Sequence, residues 1–174
     1  LWLILRTLKY SVVTDLTAGR YIWYLYYLPM LFLPLLWVYI ALSMGKSEDY
    51  RLSRGIGMLS IIPAVLFLLV ITNDLHQQVF AFKSGVPGLP VSGTYSYRPL
   101  YFICLGWMVG CMAFSLVCLF RKIRIPSGER KRITPFVLGC ATLLYGILYL
   151  SGIPAVRWWF GDMNVMFCLL YAAI

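Results

Sequence analysis

Charge is what this 174-residue chain has least of. Only 12% of its residues are Asp, Glu, Lys or Arg, against about 25% in a typical soluble domain. Four stretches carry no charge at all: Tyr21–Met44, Gly55–Asn73, Pro99–Phe120 and Ile133–Val156. A soluble fold is excluded by that segregation, and disorder needs the opposite composition. Recognisable catalytic signatures are also missing. There is no G-x-S-x-G, no H-E-x-x-H and no phosphate-binding glycine loop, so no enzyme activity is expected in this segment. No Lys falls within a hydrophobic run, which excludes a retinal-type Schiff base. The single histidine, His76, is too little for zinc, which takes three or four ligands. The five cysteines lie in apolar stretches without a C-x-x-C pair, so neither a disulfide framework nor a metal knuckle is expected. No cofactor is expected.

What remains is apolar: 61% of the residues are hydrophobic. Each charge-free stretch is close to the roughly 20 residues that cross a bilayer as a helix. The expected fold is all-α, a polytopic transmembrane helix bundle forming one domain over 1–174. It has complete spans near 21–44, 55–75, 99–120 and 133–152, and partial spans at both ends. Leu1–Val13 reads as the tail of an earlier helix, and 163–174 as an incomplete last one. Both ends therefore read as truncated. Thr14–Arg20 reads as a short loop. Pro29, Pro34 and Pro63 predict kinks inside the first two complete spans. Cys104, Cys111 and Cys118, seven residues apart, fall on one helix stripe suited to close packing.

The net charge of +9 follows from basic loops rather than from nucleic-acid binding. Loops 45–54 and 121–132 carry three and six Lys or Arg. Loops 76–98 and 153–162 carry two and one. Lys and Arg collect on the cytoplasmic side, so 45–54 and 121–132 are expected to be cytoplasmic in a multi-pass plasma-membrane protein.

Three polar groups then fall on the outer side. Asn73, Asp74, His76 and Gln77 close the second complete span. On a continuing helix Asn73 would share a face with His76 and Gln77, while Asp74 would point about 100° away. Asp162 and Asn164 open the last run. Asp15 and Arg20 precede an aromatic cluster containing Tyr24 and Tyr27. Polar groups in membrane segments mark sites or interhelical hydrogen bonds. The first reading makes Tyr24, Tyr27, Asn73, Asp74, His76 and Asp162 an outward-facing pocket for a small ligand. The second makes them packing.

Three segments carry a resemblance to a known family. They are LVITNDLHQQVFAF at 69–82, RYIWYLYYLPMLFLPLLWVYIALSMGK at 20–46, and the aromatic loop before GDMNVMF at 161–167. Together they resemble the seven-helix membrane region at the N-terminus of bacterial and archaeal sensor histidine kinases. The T-N-x-x-H element at Thr72, Asn73 and His76 is the most recognisable part. The resemblance implies signal reception, with output passed to cytoplasmic kinase, cyclase or regulator domains outside this stretch. It covers the chain from about the third helix to the middle of the seventh. Candidate partners are the lipid bilayer, a small-molecule ligand, and a second copy joined through cytoplasmic domains. The alternative is a small-solute transporter or channel subunit, which needs polar groups and broken helices at mid-bilayer. The mid-span residues here are mostly Leu, Ile, Val, Phe and Met.

Overall fold

A computed structural model describes Ile4 and residues 16–46, 54–82, 95–123 and 130–150. Their elements are α1 (Leu16–Leu25), α2 (Tyr27–Ser43), α3 (Arg54–Met58), α4 (Ile61–Ile71) and a single helical turn α5 (Asn73–His76). Two short strands, β1 (Phe80–Phe82) and β2 (Tyr95–Tyr97), precede α6 (Pro99–Ile123) and α7 (Arg130–Leu150). Three stretches are long and apolar enough to cross a membrane: Ala18–Ser43, Arg54–Ile71 and Pro99–Lys122. Ile133–Leu148 is a shorter apolar helix. The fold is thus mainly helical and membrane-compatible, with three full-length spans and one shorter apolar helix among the described residues. Expectations for Leu1–Val13, for loop 153–162, and for Asp162, Asn164 and the last run fall outside the described residues.

Prolines set where the helices break. Pro29 has no N–H for the Leu25 carbonyl, and its ring crowds that carbonyl. The chain turns at Tyr26, whose amide reaches back to the Trp23 carbonyl at 3.2 Å, and α1 gives way to α2. Pro63 acts the same way on Leu59. The helix breaks at Leu59–Ser60, and the Ile62 amide takes the Leu59 carbonyl at 3.2 Å. Pro34, by contrast, sits inside an unbroken α2. The Trp107 indole donates to the Leu31 carbonyl beside it at 3.1 Å. The end of α3 is closed by the Tyr39 hydroxyl, which donates to the Ile56 carbonyl at 3.0 Å.

Two expectations need correction. Residues 16–20 are the start of a helix rather than a loop, because Arg20 is tied to a partner far along the chain. The fold also includes a small antiparallel sheet, with Phe80 opposite Tyr97 and Phe82 opposite Tyr95. Strict all-α organisation misses it because strands of three residues leave almost no periodic trace.

Packing divides the chain into two compact units. The first joins Leu1–Leu33 with Met58–Trp107, the second Pro34–Gly57 with Met108–Ile174. Within the second, Ala41, Met112, Leu119, Ile133, Val137 and Cys140 form a buried cluster, edged by Trp37 against Phe136 with ring centroids 6.1 Å apart. Within the first, α4 buries Pro63, Leu66 and Val70 and exposes Ile61, Val65 and Leu68. Apolar side chains facing outward are what a hydrocarbon surround accepts.

Candidate functional site

The T-N-x-x-H element is a device for ending a helix and starting a strand. At the end of α4, the Thr72 hydroxyl donates back to the Leu68 carbonyl at 2.8 Å, a local bond open to short hydroxyl side chains. His76 closes the next carbonyl: its Nε2 lies 3.0 Å from the Leu69 oxygen. The Gln78 amide donates to His76 Nδ1 at 3.0 Å, so Nδ1 carries no hydrogen and Nε2–H is the donor. The Leu68 carbonyl, which also takes the Thr72 amide at 3.0 Å, and the Leu69 carbonyl are thereby both capped by side chains from the turn that follows.

Gln77 then reverses the chain. Its φ of 49° and ψ of 36° are left-handed, and its amide bonds the Asn73 carbonyl at 2.7 Å. This overturns the expectation that Asn73 and Gln77 share a helix face. The helix stops at His76, and Gln77 is exposed while Asn73 is fully buried.

Asn73 holds the far side of the turn. Its Oδ1 accepts from the amides of Val79 at 2.9 Å and Phe80 at 3.0 Å. Its Nδ2 donates to the Phe80 carbonyl at 3.0 Å and to the Tyr24 hydroxyl at 3.2 Å. Two acceptor positions and two donors are all that an asparagine amide offers, and all four are used.

Asp74, a residue further on, points to α1. Its Oδ1 accepts from the Tyr24 hydroxyl at 2.7 Å, and its Oδ2 lies 2.9 Å from Arg20 Nη2. Tyr24 therefore bridges Asn73 and Asp74. The ion pair is partly shielded, with the Arg20 and Asp74 side chains 27% and 22% exposed. The Arg20 guanidinium also lies over the Phe82 ring, 5.4 Å from its centroid, in range for a cation–π contact.

Phe80 is the hub of the aromatic cluster. It is completely buried, with Trp23 at 4.4 Å, Tyr27 at 5.7 Å, Tyr95 at 5.8 Å and Tyr101 at 5.8 Å between ring centroids. Tyr97 stacks on Tyr101 at 4.1 Å. Centroid spacings of 4.5–7 Å are typical of favourable aromatic pairs, and cross-strand pairing places several of these rings on one face of the hairpin. The hairpin runs into α6 without a gap: Arg98 and Leu100 donate to the carbonyls of Val79 and Gln78. Pro99 takes the first helical position, where no amide is needed.

Hydrogen bonds join Tyr24, Asn73 and Asp74, with Arg20 as the charge partner of Asp74, and Tyr27 packs against Phe80 beside them; the His76 side chain turns instead to the Leu69 carbonyl and the Gln78 amide. Asp162 lies outside the described residues. Phe80, Tyr97 and Tyr101 were not singled out by sequence reasoning. The available signal was the alternation F-A-F and Y-S-Y on either side of a Gly- and Pro-rich loop. Among the described residues no three His, Cys, Asp or Glu side chains gather at one point, so the described part presents no metal site.

No characterised protein and no solved structure matches the chain. A family model, described as the N-terminal 7TM region of histidine kinase, matches residues 1–174. That region is a non-catalytic part of its kinases, in keeping with the sensor resemblance of the motifs. With the match running the full length of the sequence, the chain belongs to the family of N-terminal seven-transmembrane regions of histidine kinases.

Proposed function

We propose that the chain receives a signal at the junction of α1 with the α4–β1 turn, and hands it to output domains of a histidine-kinase-like protein. The observation that carries this reading is the Asp74 carboxylate, which links Arg20 and Tyr24 of α1 to the end of α4. It is the one place in the first unit where an ion pair joins separate helices among the described residues. Because both partners keep some exposure, a polar ligand has access to them.

Roles within the cluster divide by burial. Asp74, Arg20, His76 and the exposed Tyr97 are the groups a small ligand touches. Tyr24, Tyr27 and Asn73 are buried and support them. A ligand that draws Asp74 away from Tyr24 or Arg20 loosens α1 from α4. The breaks at Tyr26 and Leu59–Ser60 give both helices a place to bend. The excess of Lys and Arg in loops 45–54 and 121–132 supports placing this junction on the outer side of the plasma membrane. Output domains in the cytoplasm provide the means of pairing with a second copy.

The test compares Asp74→Asn and Arg20→Lys with the wild type in the full-length protein. Asp74→Asn removes the charge while keeping the shape of the side chain, and Arg20→Lys keeps the charge but loses the guanidinium that reaches Asp74. Each weakens the link, worth about 1 kcal/mol for a partly exposed pair and more with the tyrosine bond. Kinase output changes while membrane yield stays normal. Output that merely follows yield across both variants refutes the reading.

A further inference from the structure

A second polar contact joins helices in the other unit, far along the chain from the Asp74 junction, and it serves no role in the reading above. The C-terminus of α2 is closed only in part by its own chain. The Met44 amide and the Ser43 hydroxyl both take the Ile40 carbonyl, at 2.9 and 3.1 Å. Gly45 has a φ of 73°, the left-handed turn that commonly follows a helix. The carbonyls of Ala41, Leu42 and Met44 lie at this end of α2, where the partial negative charge of the helix gathers. Lys122 of α6 reaches across to them. Its Nζ lies 2.7 Å from the Ala41 oxygen and 3.3 Å from that of Leu42, and it also donates to Met44. An ammonium offers three donors around one point, and here three carbonyls converge on it.

The contact is continuous with packing. Leu119, one turn before Lys122, is buried in the same cluster as Ala41. The end of α2 therefore cannot move along α6 without both opening that cluster and breaking bonds to a charged donor. Such bonds are roughly twice as strong as neutral ones.

We infer that Lys122 is an interhelical clamp: its ammonium fixes the axial position of the α2 end on α6 and holds the module in one of two states, and release of the clamp is a step in passing the signal on. Lys122 is a positioning residue in this scheme. Its place among the basic residues near 121–132 conceals it, because a topogenic lysine in a loop has the same sequence signature.

The test uses the full-length protein in nanodiscs, with spin labels carried by encoded non-cysteine residues at the exposed positions 43 and 120. The wild type gives one narrow distance distribution. Lys122→Met gives a broadened distribution with a second, displaced component, and basal kinase output shifts by about fivefold, the low end of an allosteric coupling. Lys122→Arg behaves like Lys122→Met, because a planar guanidinium fork cannot converge on three carbonyls of one helix end. An unchanged distance distribution in Lys122→Met overturns the clamp, and Lys122→Arg matching the wild type reduces Lys122 to a bare charge and overturns it equally. The regulatory part rests on the sensory reading, whereas the distance measurement does not. A displaced distribution with unaltered output therefore refutes the switch and leaves the sensory reading to be judged by Asp74→Asn.

Discussion

Replacing Asn73 with alanine is the sharpest test of the turn. The substitution deletes four hydrogen bonds at a residue with no exposure. It leaves the amides of Val79 and Phe80 and the carbonyl of Phe80 without their partner, and both of those residues are fully buried. An orphaned buried polar group costs about 1–3 kcal/mol. Three such groups, with partial relief from relaxation, amount to about 3–6 kcal/mol, a large part of the 5–15 kcal/mol that holds an ordinary domain. The assay is amide hydrogen exchange over residues 73–82 in nanodiscs. At about 1.36 kcal/mol per decade, exchange at Val79 and Phe80 accelerates about a hundredfold or more, while the middle of α6 is unaffected. Asn73→Asp does not rescue it, since a carboxylate oxygen would face the Phe80 carbonyl at the distance where Nδ2 now donates. Unchanged protection at Val79 and Phe80 in Asn73→Ala would refute the reasoning.

Gln77 occupies a left-handed conformation that costs an ordinary side chain about 1 kcal/mol. Gln77→Gly is therefore neutral or raises thermal stability in detergent, and Gln77→Val lowers it; the reverse order rejects the role of this turn. The cytoplasmic assignment of 45–54 and 121–132 predicts that an impermeant thiol reagent on intact cells labels Ser84→Cys and spares Ser127→Cys. Labelling of Ser127→Cys with Ser84→Cys protected reverses the orientation.

The membrane character was legible because some twenty consecutive residues without a charge suit a hydrocarbon layer and little else. The proline breaks were legible in kind, and Pro29 and Pro63 act on the carbonyl four residues back as their chemistry requires. Pro34 shows the limit, since α2 absorbs it. The polar end of the second complete span was visible as a cluster, and the divergence of Asp74 from Asn73 followed from helical geometry. What Asn73 bonds was not visible, because its partners are the Tyr24 hydroxyl and backbone groups six and seven residues on, at the entry to β1. Gln77 left no mark of its left-handed turn, which favours glycine or asparagine. The Tyr24–Asp74 bond joins residues fifty apart, and nothing in either neighbourhood announces the other. Lys122 was hidden in plain view as one more basic residue.

The self-closing end of α4 bears on depth in the bilayer. At 1.5 Å per residue, the 18 residues of Arg54–Ile71 would reach about 27 Å even if unbroken, short of a hydrocarbon layer of about 30 Å, and the break at Leu59–Ser60 shortens that further. A helix with bare terminal carbonyls would have to tilt little and thin the membrane to bring them to water. Here Thr72 and His76 cover the Leu68 and Leu69 oxygens from within the same turn. A helix so finished can stop below the headgroups. Substitution of Thr72 or His76 would then be felt as a change in how thick a membrane the protein tolerates.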